Sequence, residues 1–480
     1  MARTTTSGAR PKTKIVCTLG PSTESDETIE ALIGNGMSVA RLNMSHGTAE
    51  SHAKAIGQVV GASQRLGIPV STMVDVPGAK YRTGPLAPGA IVWRPGDRVT
   101  LTSKDIVGSR ELVAVAPPGI HRDASVGGPI LLDDGLVELR VTRILDDSVE
   151  CEVVVGGRIT ERRGVTVPGV TPSQPYPDSR AKQALAFAAH HGADFVALST
   201  VTSGDEVRKA RGILDDLGSH PHIISKIERA EAIEKFDDIL AASDAIMVAR
   251  GDMGVDVPLA RVPVIQKDLI ARSNAAGKPV ITATQMLESM LTSPVPTRAE
   301  VTDVANAVFD GSDAVMLSGE TSVGDHPVEA VKVMAGVAKE AETALGYEAI
   351  IREKSLQLVN ETDDAISYDA CRTASQLGAR LIIAFTESGS TAGRVSKYRP
   401  RPPILALTPS PEVQRRLTLR WGVTPVIVDR LRNVDDFFTM GQEAAIGSRL
   451  AESGSVVVLV AGLPIGVPGG TNLLRVMTLE

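Results

Sequence analysis

The sequence is poor in cysteine and in aromatic residues, and it has no long apolar run. Its three cysteines, Cys17, Cys151 and Cys371, lie far apart and form no Cys-x-x-Cys pair or Cys/His cluster, which argues against a disulfide framework and a structural zinc site. Aromatic residues are only 3% of the chain, which disfavours a surface for stacking nucleic-acid bases. No apolar segment is long enough to span a bilayer, and the polar N-terminus does not look like a signal peptide. We therefore expect a cytoplasmic protein that binds neither nucleic acid nor membrane.

The chain also lacks an excess of positive charge and a recognisable phosphate loop. Its formal net charge is -7, so any affinity for phosphate groups must come from local sites and not from the net field. No GxxxxGK[ST] segment is present, so nucleotide binding cannot be argued from a P-loop. What the chain does have is length, 480 residues, and an apolar content of 43%. These values predict several domains with well-filled cores.

Eight short apolar runs, each followed by a helical pattern, recur over the first two thirds of the chain. This alternation is typical of a (β/α)₈ TIM barrel, an α/β fold. The runs lie at residues 14–20, 39–45, 70–76, 195–200, 222–228, 245–252, 279–285 and 314–320.

The long gap between the third and fourth runs has a different texture. Apolar and polar residues alternate there between Gly, Pro and Asp turns, a pattern that predicts a small antiparallel β domain inserted in a barrel loop. Such a domain is a candidate lid. We predict a flexible tail at 1–12, a catalytic barrel at 13–84 and 170–345, the inserted β domain at 85–169, and a C-terminal α/β regulatory domain at 346–480.

Polar residues cluster where the predicted barrel strands end, which is where the active sites of such barrels lie. A spacing of two predicts that each pair shares one face of its strand. The cluster comprises Arg41, Asn43, Ser45, Asp75, Lys226, Glu228, Arg250, Asp252, Thr284, Ser318 and Glu320.

The residue types in this cluster narrow its chemistry. The carboxylates of Glu228 and Asp252 suit an oxygen-preferring cation such as Mg²⁺. The cations Arg41, Lys226 and Arg250 favour a ligand with several negative charges, as in phosphoryl transfer. A metal beside cationic groups also suits stabilisation of an enolate, so the residues alone leave both reactions open.

Several segments resemble the pyruvate kinase family, and the resemblance covers nearly the whole chain. They include TKIVCTLGPS, GMSVARLNMSHG, ISKIE, SDAIMVARGDMG, KPVITATQMLESM and PTRAEVTDVANAVFDGSDAVMLSGET. The resemblance implies a barrel with a lid and a C-terminal regulatory domain, assembled as a homotetramer. It also implies transfer of phosphate from phosphoenolpyruvate to ADP, giving pyruvate and ATP in glycolysis.

The resemblance also implies roles for individual positions. Glu228 and Asp252 look like the ligands of Mg²⁺ or Mn²⁺, and Lys226 looks like the group that stabilises the transferring phosphoryl. The positions similar to the family's catalytic residues are Lys226, Thr284, Arg41, Ser318 and Glu320; those similar to its substrate-binding residues are Arg41, Lys226, Gly251, Asp252 and Thr284; and those similar to its nucleotide-binding residues are Asn43, His46 and Arg82.

One departure from the family concerns a monovalent cation. The K⁺ site of K⁺-dependent members resembles Asn43, Ser45, Asp75 and the carbonyl of Val76, with a glutamate five positions after the aspartate. Here that position is Lys80. Because a fixed ammonium can supply the missing positive charge, we predict that K⁺ is not required.

A second family feature is the loop TESGST, which resembles a cradle for an effector phosphate. Its candidate contacts are Thr386, Ser388, Ser390 and Thr391. Glu387 disfavours a bisphosphate, so the predicted effector is a monophosphorylated sugar or a nucleotide. The alternative is a loop that binds no effector.

Two other functions remain open at this point. One is another Mg²⁺-dependent pyruvate or enolate enzyme on a similar barrel, such as an aldolase, although that enzyme needs neither the inserted domain nor the C-terminal one. The other is a catalytically weakened regulatory paralogue, because Ala79, Arg163, Thr166 and Thr200 depart from the family pattern.

Overall fold

The computed structural model describes residues 10–87, 91–133, 135–170, 173, 176–431, 433–464 and 470–480. Elements are numbered along the chain. Eight parallel strands form a closed barrel, in the order β1-β17-β16-β15-β14-β13-β3-β2, which confirms the predicted (β/α)₈ fold. These strands are β1 (Lys14–Thr18), β2 (Met37–Asn43), β3 (Ser71–Val76), β13 (Phe195–Leu198), β14 (His222–Ile227), β15 (Ala245–Ala249), β16 (Val280–Ala283) and β17 (Ala314–Leu317).

Helices pack around the barrel, and several begin at side chains that cap their free N–H groups. Thr48 and Ser51 form a capping box before α2, as Thr297 and Glu300 do before α10, and such boxes satisfy backbone donors that would otherwise be unpaired. The helices are α1 (Asp26–Asn35), α2 (Ala49–Leu66), α4 (Ser179–His190), α5 (Gly204–Asp216), α6 (Ala230–Glu234), α7 (Phe236–Ala242), α8 (Arg250–Asp256), α9 (Val262–Ala275), α10 (Arg298–Phe309), α11 (Gly319–Ser322) and α12 (Pro327–Thr343).

Two of the predicted strand ends are wrong in detail. β15 ends at Ala249, so Arg250 and Asp252 lie on α8. β17 ends at Leu317, so Glu320 lies on α11. The spacing of two therefore does not place these residues on one face of a strand, because the chain turns into a helix as soon as it leaves the barrel.

The inserted region forms a second closed barrel of seven strands, in the order β10-β6-β7-β4-β12-β8-β9. Where the chain enters and leaves it, β4 and β12 pair antiparallel. The elements of the inserted region are β4 (Tyr81–Thr83), β5 (Ile91–Val92), β6 (Arg98–Thr102), β7 (Leu112–Ala116), α3 (Ile120–Asp123), β8 (Pro129–Leu132), β9 (Val137–Ile144), β10 (Ser148–Val155), β11 (Arg158–Ile159) and β12 (Gly164–Thr166). Of these, β5 and β11 pair with each other in a separate two-stranded sheet.

The C-terminal unit is a five-stranded sheet with helices. The strand order is β20-β19-β18-β21-β22, and only β22 is antiparallel to its neighbour. Its elements are α13 (Tyr347–Lys354), α14 (Thr362–Gln376), β18 (Leu381–Phe385), α15 (Ser390–Lys397), β19 (Ile404–Thr408), α16 (Pro411–Leu417), β20 (Val423–Ile427), α17 (Val434–Gly447), β21 (Val456–Gly462) and β22 (Thr471–Thr478).

This C-terminal unit closes the N-terminal end of the eight-stranded barrel. Leu419, which is 1% exposed, packs into the apolar cluster inside the barrel. Asp194 and Asp313 directly precede barrel strands and receive arginines from the C-terminal unit: Arg415 Nε lies 2.7 Å from Asp194 Oδ1, and Arg399 Nη1 lies 2.8 Å from Asp313 Oδ1. The two units therefore share a buried and charged contact.

Residues 1–9 of the predicted tail lie outside the described residues, whereas Lys12 contacts the folded chain through its N–H, which donates to Glu342 at 2.9 Å. Within the described ranges, no helix combines the length and the apolar character needed to cross a bilayer.

Candidate active site

Charged residues from β2 and β3 form one wall of the barrel mouth, defined here as the C-terminal end of the eight strands. Arg41 is buried, and its guanidinium donates from Nε to Asp75 Oδ2 and from Nη1 to Thr18 Oγ1, each at 2.8 Å. Burial acts against the charged form of Asp75, but Lys226 and Arg41 outweigh it and lower the pKa of this carboxyl. Asp75 is thus a fixed anion that orients both cations.

Lys226, at the end of β14, lies at the centre of the mouth. Its ammonium donates to Ser199 Oγ at 2.7 Å, and it lies 2.8 Å from Glu228 Oε1 and 3.5 Å from Asp75 Oδ1. Burial disfavours the charged form, yet Asp75 and Glu228 outweigh burial and raise the pKa of Lys226 above its ordinary value. The site therefore presents a permanent positive charge that is largely shielded from water.

The two candidate metal ligands follow neighbouring strands: Glu228 comes directly after β14, and Asp252 lies on α8 after β15. Glu228 Oε2 accepts the N–H of Thr200 at 2.9 Å. Its Oε1 makes the ion pair with Lys226 but accepts no aligned hydrogen bond. Asp252 Oδ1 pairs with the ammonium of Lys80. Burial opposes ionisation of Asp252, but Lys80 and Lys226 outweigh it and lower the pKa of its carboxyl.

These carboxylates fit a Mg²⁺-type cation. Both offer hard oxygen donors, and Glu228 Oε1 has capacity left for a further interaction. Among the described residues no group of three His, Cys, Asp or Glu side chains is arranged to hold a metal. A site with two carboxylates is what Mg²⁺ commonly uses, because it takes its other ligands from water and substrate oxygens.

A small cavity lies between the barrel mouth and the inserted domain. It is lined by Lys80, Thr200, Glu228 and Asp252 of the barrel and by Thr166 of the inserted domain, and its volume is about 20 Å³. That volume holds about one water molecule. A ligand larger than a water molecule must therefore extend beyond this space.

Thr284 follows β16 in an unusual backbone conformation. Its φ is 69°, and Gln285 after it has a φ of 54°. Positive φ in a β-branched residue costs about 1–3 kcal/mol and is found where surrounding contacts enforce it. The hydroxyl Oγ1 accepts the N–H of Gly251 at 2.8 Å and donates to the carbonyl of Ala283 at 2.6 Å. Thr284 and Gly251 are therefore brought together.

Arg250 does not face the mouth as a free cation. Its Nη1 donates to Asp303 Oδ1 at 2.7 Å, and its Nη2 donates to the carbonyl of Thr284 at 2.7 Å. The sequence-based expectation that Arg250 attracts a polyanionic ligand is therefore wrong, because protein groups already satisfy its guanidinium.

Ser318 and Glu320 lie at the β17 end of the mouth. Glu320 is fully buried, and its carboxylate accepts the N–H groups of Leu287 at 3.0 Å and Ser318 at 2.7 Å. The hydroxyl of Ser318 is buried and has no hydrogen-bond partner in the structure. Glu320 thus fixes the loop after β16, and Ser318 keeps a free hydroxyl.

The segment predicted to hold a nucleotide is a tight turn after β2. Asn43 Oδ1 accepts the N–H of Ser45 at 3.1 Å, and the carbonyl of His46 is 2.8 Å from His52 Nε2. Burial and the nearby guanidinium of Arg82 lower the pKa of His46. Arg82 lies on β4 and donates to the carbonyl of Arg162 at 3.0 Å.

The predicted monovalent-cation pocket has several of its atoms in use. Asp75 pairs with Arg41 and Lys226, and the carbonyl of Val76 accepts the N–H of Ser199 at 3.2 Å. Lys80, predicted to stand in for the cation, pairs with Asp252.

The predicted effector loop is an ordered turn before α15. The N–H of Gly389, which has a φ of 91°, donates to Thr386 Oγ1 at 2.8 Å. Ser388 and Ser390 share a hydrogen bond of 3.1 Å, and Thr391 Oγ1 lies 3.0 Å from Thr471 Oγ1. The four hydroxyls thus gather at one helix start.

Sequence reasoning missed two residues of this site. Ser199 bonds both Lys226 and Asp75, at 2.7 and 3.1 Å. Its polar side chain after the apolar β13 was the available signal. Asp303 on α10 holds Arg250, and nothing in its sequence neighbourhood distinguishes it from an exposed helix residue.

The fold and this mouth define an enzyme class, a TIM-barrel phosphotransferase with an inserted β domain. The family model for the pyruvate kinase barrel domain matches residues 10–331, and that for the pyruvate kinase alpha/beta domain matches residues 364–477. The chain belongs to the pyruvate kinase family.

Individual relatives agree with this assignment. A pyruvate kinase of Clostridium acetobutylicum is 41% identical over 471 residues, covering 98% of this chain and all of that protein. One of Geobacillus stearothermophilus is 42% identical over 472 residues, covering 98% of this chain and 80% of that protein. The crystal structure of a pyruvate kinase from Cryptosporidium parvum superposes with a TM-score of 0.92 at 38% identity, covering 98% and 96% of the two chains.

Proposed function

We propose that this chain transfers the phosphoryl group of phosphoenolpyruvate to ADP, giving pyruvate and ATP, as a step of glycolysis in the cytoplasm. The observation that supports this most is the convergence of Lys226, Glu228, Asp252 and Thr284 on one barrel mouth. A buried ammonium next to two carboxylates suits a substrate that carries a phosphate and develops an enolate.

The residues of the mouth divide the work. Arg41 and Lys226 bind the phosphate, and Lys226 neutralises the charge that develops during transfer. Glu228 and Asp252 would hold Mg²⁺ or Mn²⁺, which supplies further charge neutralisation and orients the oxygens. Asn43, His46 and Arg82 hold the nucleotide. The inserted domain moves aside to admit substrates and then excludes water, which would otherwise accept the phosphoryl group.

After transfer, the enolate needs a proton at C3. We assign this step to Thr284; the fixed position of its hydroxyl between Gly251 and Ala283 supports the assignment. Ser318 and Glu320 supply the relay behind it, with the unpaired hydroxyl of Ser318 as the movable link. Gly251 contributes its backbone to the substrate pocket.

The broader properties implied by the family are part of the same proposal. The chain assembles as a homotetramer, and a monophosphorylated sugar or a nucleotide binds at Thr386, Ser388, Ser390 and Thr391. The gathered hydroxyls and the backbone N–H groups before α15 support this effector site.

Direct assay tests the main proposal. Pyruvate and ATP should form from phosphoenolpyruvate and ADP with Mg²⁺, and removal of Mg²⁺ by a chelator should abolish both products. Because Ala79, Arg163, Thr166 and Thr200 depart from the family pattern, the competing function is a weakened paralogue. Absence of both products with either metal, and with sugar monophosphates or AMP added, would contradict the main proposal and favour that paralogue.

We also propose that the enzyme works without K⁺. With Asp252 engaged as a metal ligand, the ammonium of Lys80 loses its present partner and becomes available to neutralise substrate charge. The expected result is equal kcat in KCl and in tetramethylammonium chloride of the same ionic strength. Lys80→Glu should make kcat depend on KCl. An inactive K⁺-free wild type that KCl restores in full would contradict the proposal.

A further inference from the structure

We propose that Arg250 and Asp303 are positioning residues that hold Thr284 in the conformation needed to protonate the enolate. The inference rests on the proposed function, because it concerns the proton step of that reaction. Neither residue touches the reacting atoms; they act through the backbone of the segment after β16.

Protein groups occupy the whole guanidinium of Arg250. Nη1 donates to Asp303 Oδ1 at 2.7 Å and to Gln266 Oε1 at 3.4 Å. Nε donates to the carbonyl of Ala283 at 3.3 Å, and Nη2 to the carbonyl of Thr284 at 2.7 Å and to Met286 Sδ at 2.8 Å. These five contacts match the five N–H groups of a guanidinium, so no donor is left for a ligand.

These contacts hold a strained backbone segment after β16. Thr284 and Gln285 both have positive φ, at 69° and 54°. Two consecutive residues with side chains do not adopt this conformation without support, since the left-handed region is disfavoured for each of them. Arg250 donates hydrogen bonds to the carbonyls of Ala283 and Thr284, which lie directly before and after the N–Cα bond of Thr284. The guanidinium of Arg250 thereby stabilises the strained backbone of Thr284 and Gln285.

This backbone conformation also fixes the hydroxyl of Thr284. Thr284 Oγ1 accepts the N–H of Gly251 at 2.8 Å, and Gly251 is the direct neighbour of Arg250 along the chain. The start of α8 therefore fixes Thr284 twice, by its backbone through Arg250 and by its side chain through Gly251. The hydroxyl proton goes to the carbonyl of Ala283, which Arg250 Nε also contacts. Arg250 and the Thr284 hydroxyl thus share one acceptor, the carbonyl of Ala283. The hydroxyl has to break its hydrogen bond to this carbonyl before it can donate to a substrate.

Asp303 completes the arrangement by fixing Arg250. It reaches the guanidinium from α10, and the Arg250 side chain is only 12% exposed. The ion pair with Asp303 holds the planar guanidinium in one orientation. Arg250 needs this orientation in order to bond the carbonyls of Ala283 and Thr284 at the same time. Lysine has no such planar fork, so Arg250→Lys should be only a partial substitute.

The test separates the proton step from phosphoryl transfer. The proton step is measured alone as loss of the methyl protons of pyruvate in D₂O, followed by NMR in the presence of Mg²⁺ and inorganic phosphate. Phosphoryl transfer is measured as ATP formed in a single turnover from phosphoenolpyruvate and ADP by rapid quench. For Arg250→Met we expect methyl exchange to fall about 100-fold, the scale of lost acid–base catalysis, while single-turnover ATP formation changes far less.

Further variants keep the proposal open to refutation. Asp303→Ala should lower exchange in the same direction, and Arg250→Lys should lie between wild type and Arg250→Met, so the test survives a Met variant that fails to fold. Arg272→Met is the matched control: it removes an arginine on α9 whose pairs with Asp268 and Asp237 are on the surface, and both rates should be unchanged.

Three outcomes are decisive. Equal loss of both rates in Arg250→Met and Asp303→Ala would overturn the inference, as would unchanged exchange in both. A Thr284→Ala variant that exchanges as fast as wild type would also overturn it. A wild type that forms no ATP would refute the proposed function itself, which is a different result.

Discussion

Lys226→Met is expected to lower kcat by about 1,000-fold or more, because the variant removes the charge that we propose stabilises the transferring phosphoryl. The ammonium is buried, bonded to Ser199 and paired with Glu228, so no solvent cation replaces it readily. Its raised pKa means that the charge is present across the whole working pH range. The measurement is steady-state kcat at saturating phosphoenolpyruvate, ADP and Mg²⁺.

Stability has to be checked in the same variant. Removing one member of a buried ion pair costs about 3–5 kcal/mol when its partner is left uncompensated, and Glu228 loses its ammonium here. The assay therefore belongs well below the melting temperature of the variant. Lys235→Met is the matched control, because Lys235 pairs with Glu231 on the surface and its loss should leave kcat unchanged. A folded Lys226→Met enzyme with about a tenth of the wild-type kcat or more would contradict the assigned role.

Glu228→Gln is expected to weaken binding of Mn²⁺ by about 100-fold or more. Even residues that only orient metal ligands cost about 10–100-fold in affinity when they are changed, and Glu228 is proposed as a ligand itself. The amide keeps the shape of the side chain but loses the negative charge, which leaves Asp252 as the remaining carboxylate, and that one is paired with Lys80. Free Mn²⁺ measured by EPR gives the affinity without turnover.

Glu234→Gln provides the control for this experiment. Glu234 is an exposed carboxylate on α6, so its conversion to an amide changes the net charge by the same amount without touching the mouth. Its Mn²⁺ affinity should equal that of wild type. If Glu228→Gln also binds Mn²⁺ like wild type, Glu228 is not a metal ligand, and the division of roles in the mouth has to be redrawn.

The barrel could be predicted from the sequence because its strands are buried on both faces. Segments such as 195–200 and 314–320 are short apolar runs at regular intervals, and that pattern depends only on local sequence. The exact strand ends could not be predicted, since Arg250 and Ser318 continue the alternation although the chain has already left the strand. Hydrogen bonding to neighbouring strands, which is not a local property, decides where a strand stops.

The candidate site was predictable in its residue types but less so in its pairings. Lys226 and Glu228 are identified by charge within an apolar run, and they do lie together. The pairing of Lys80 with Asp252 joins residues 172 positions apart, and that of Arg250 with Asp303 joins residues 53 apart. Such contacts depend on how loops and helices meet above the barrel, which the pattern of one chain segment does not encode.

The contact between the barrel and the C-terminal unit has a consequence for how the protein is made. Arg399 is synthesised 86 residues after its partner Asp313, and Arg415 is synthesised 221 residues after its partner Asp194. Until Leu419 leaves the ribosome, the N-terminal end of the eight-stranded barrel is not covered by the C-terminal unit. Until then, the carboxylates of Asp194 and Asp313 also lack their arginine partners. The eight-stranded barrel therefore reaches its final packing only after synthesis has passed Leu419, and a chain released before that point would carry an open barrel.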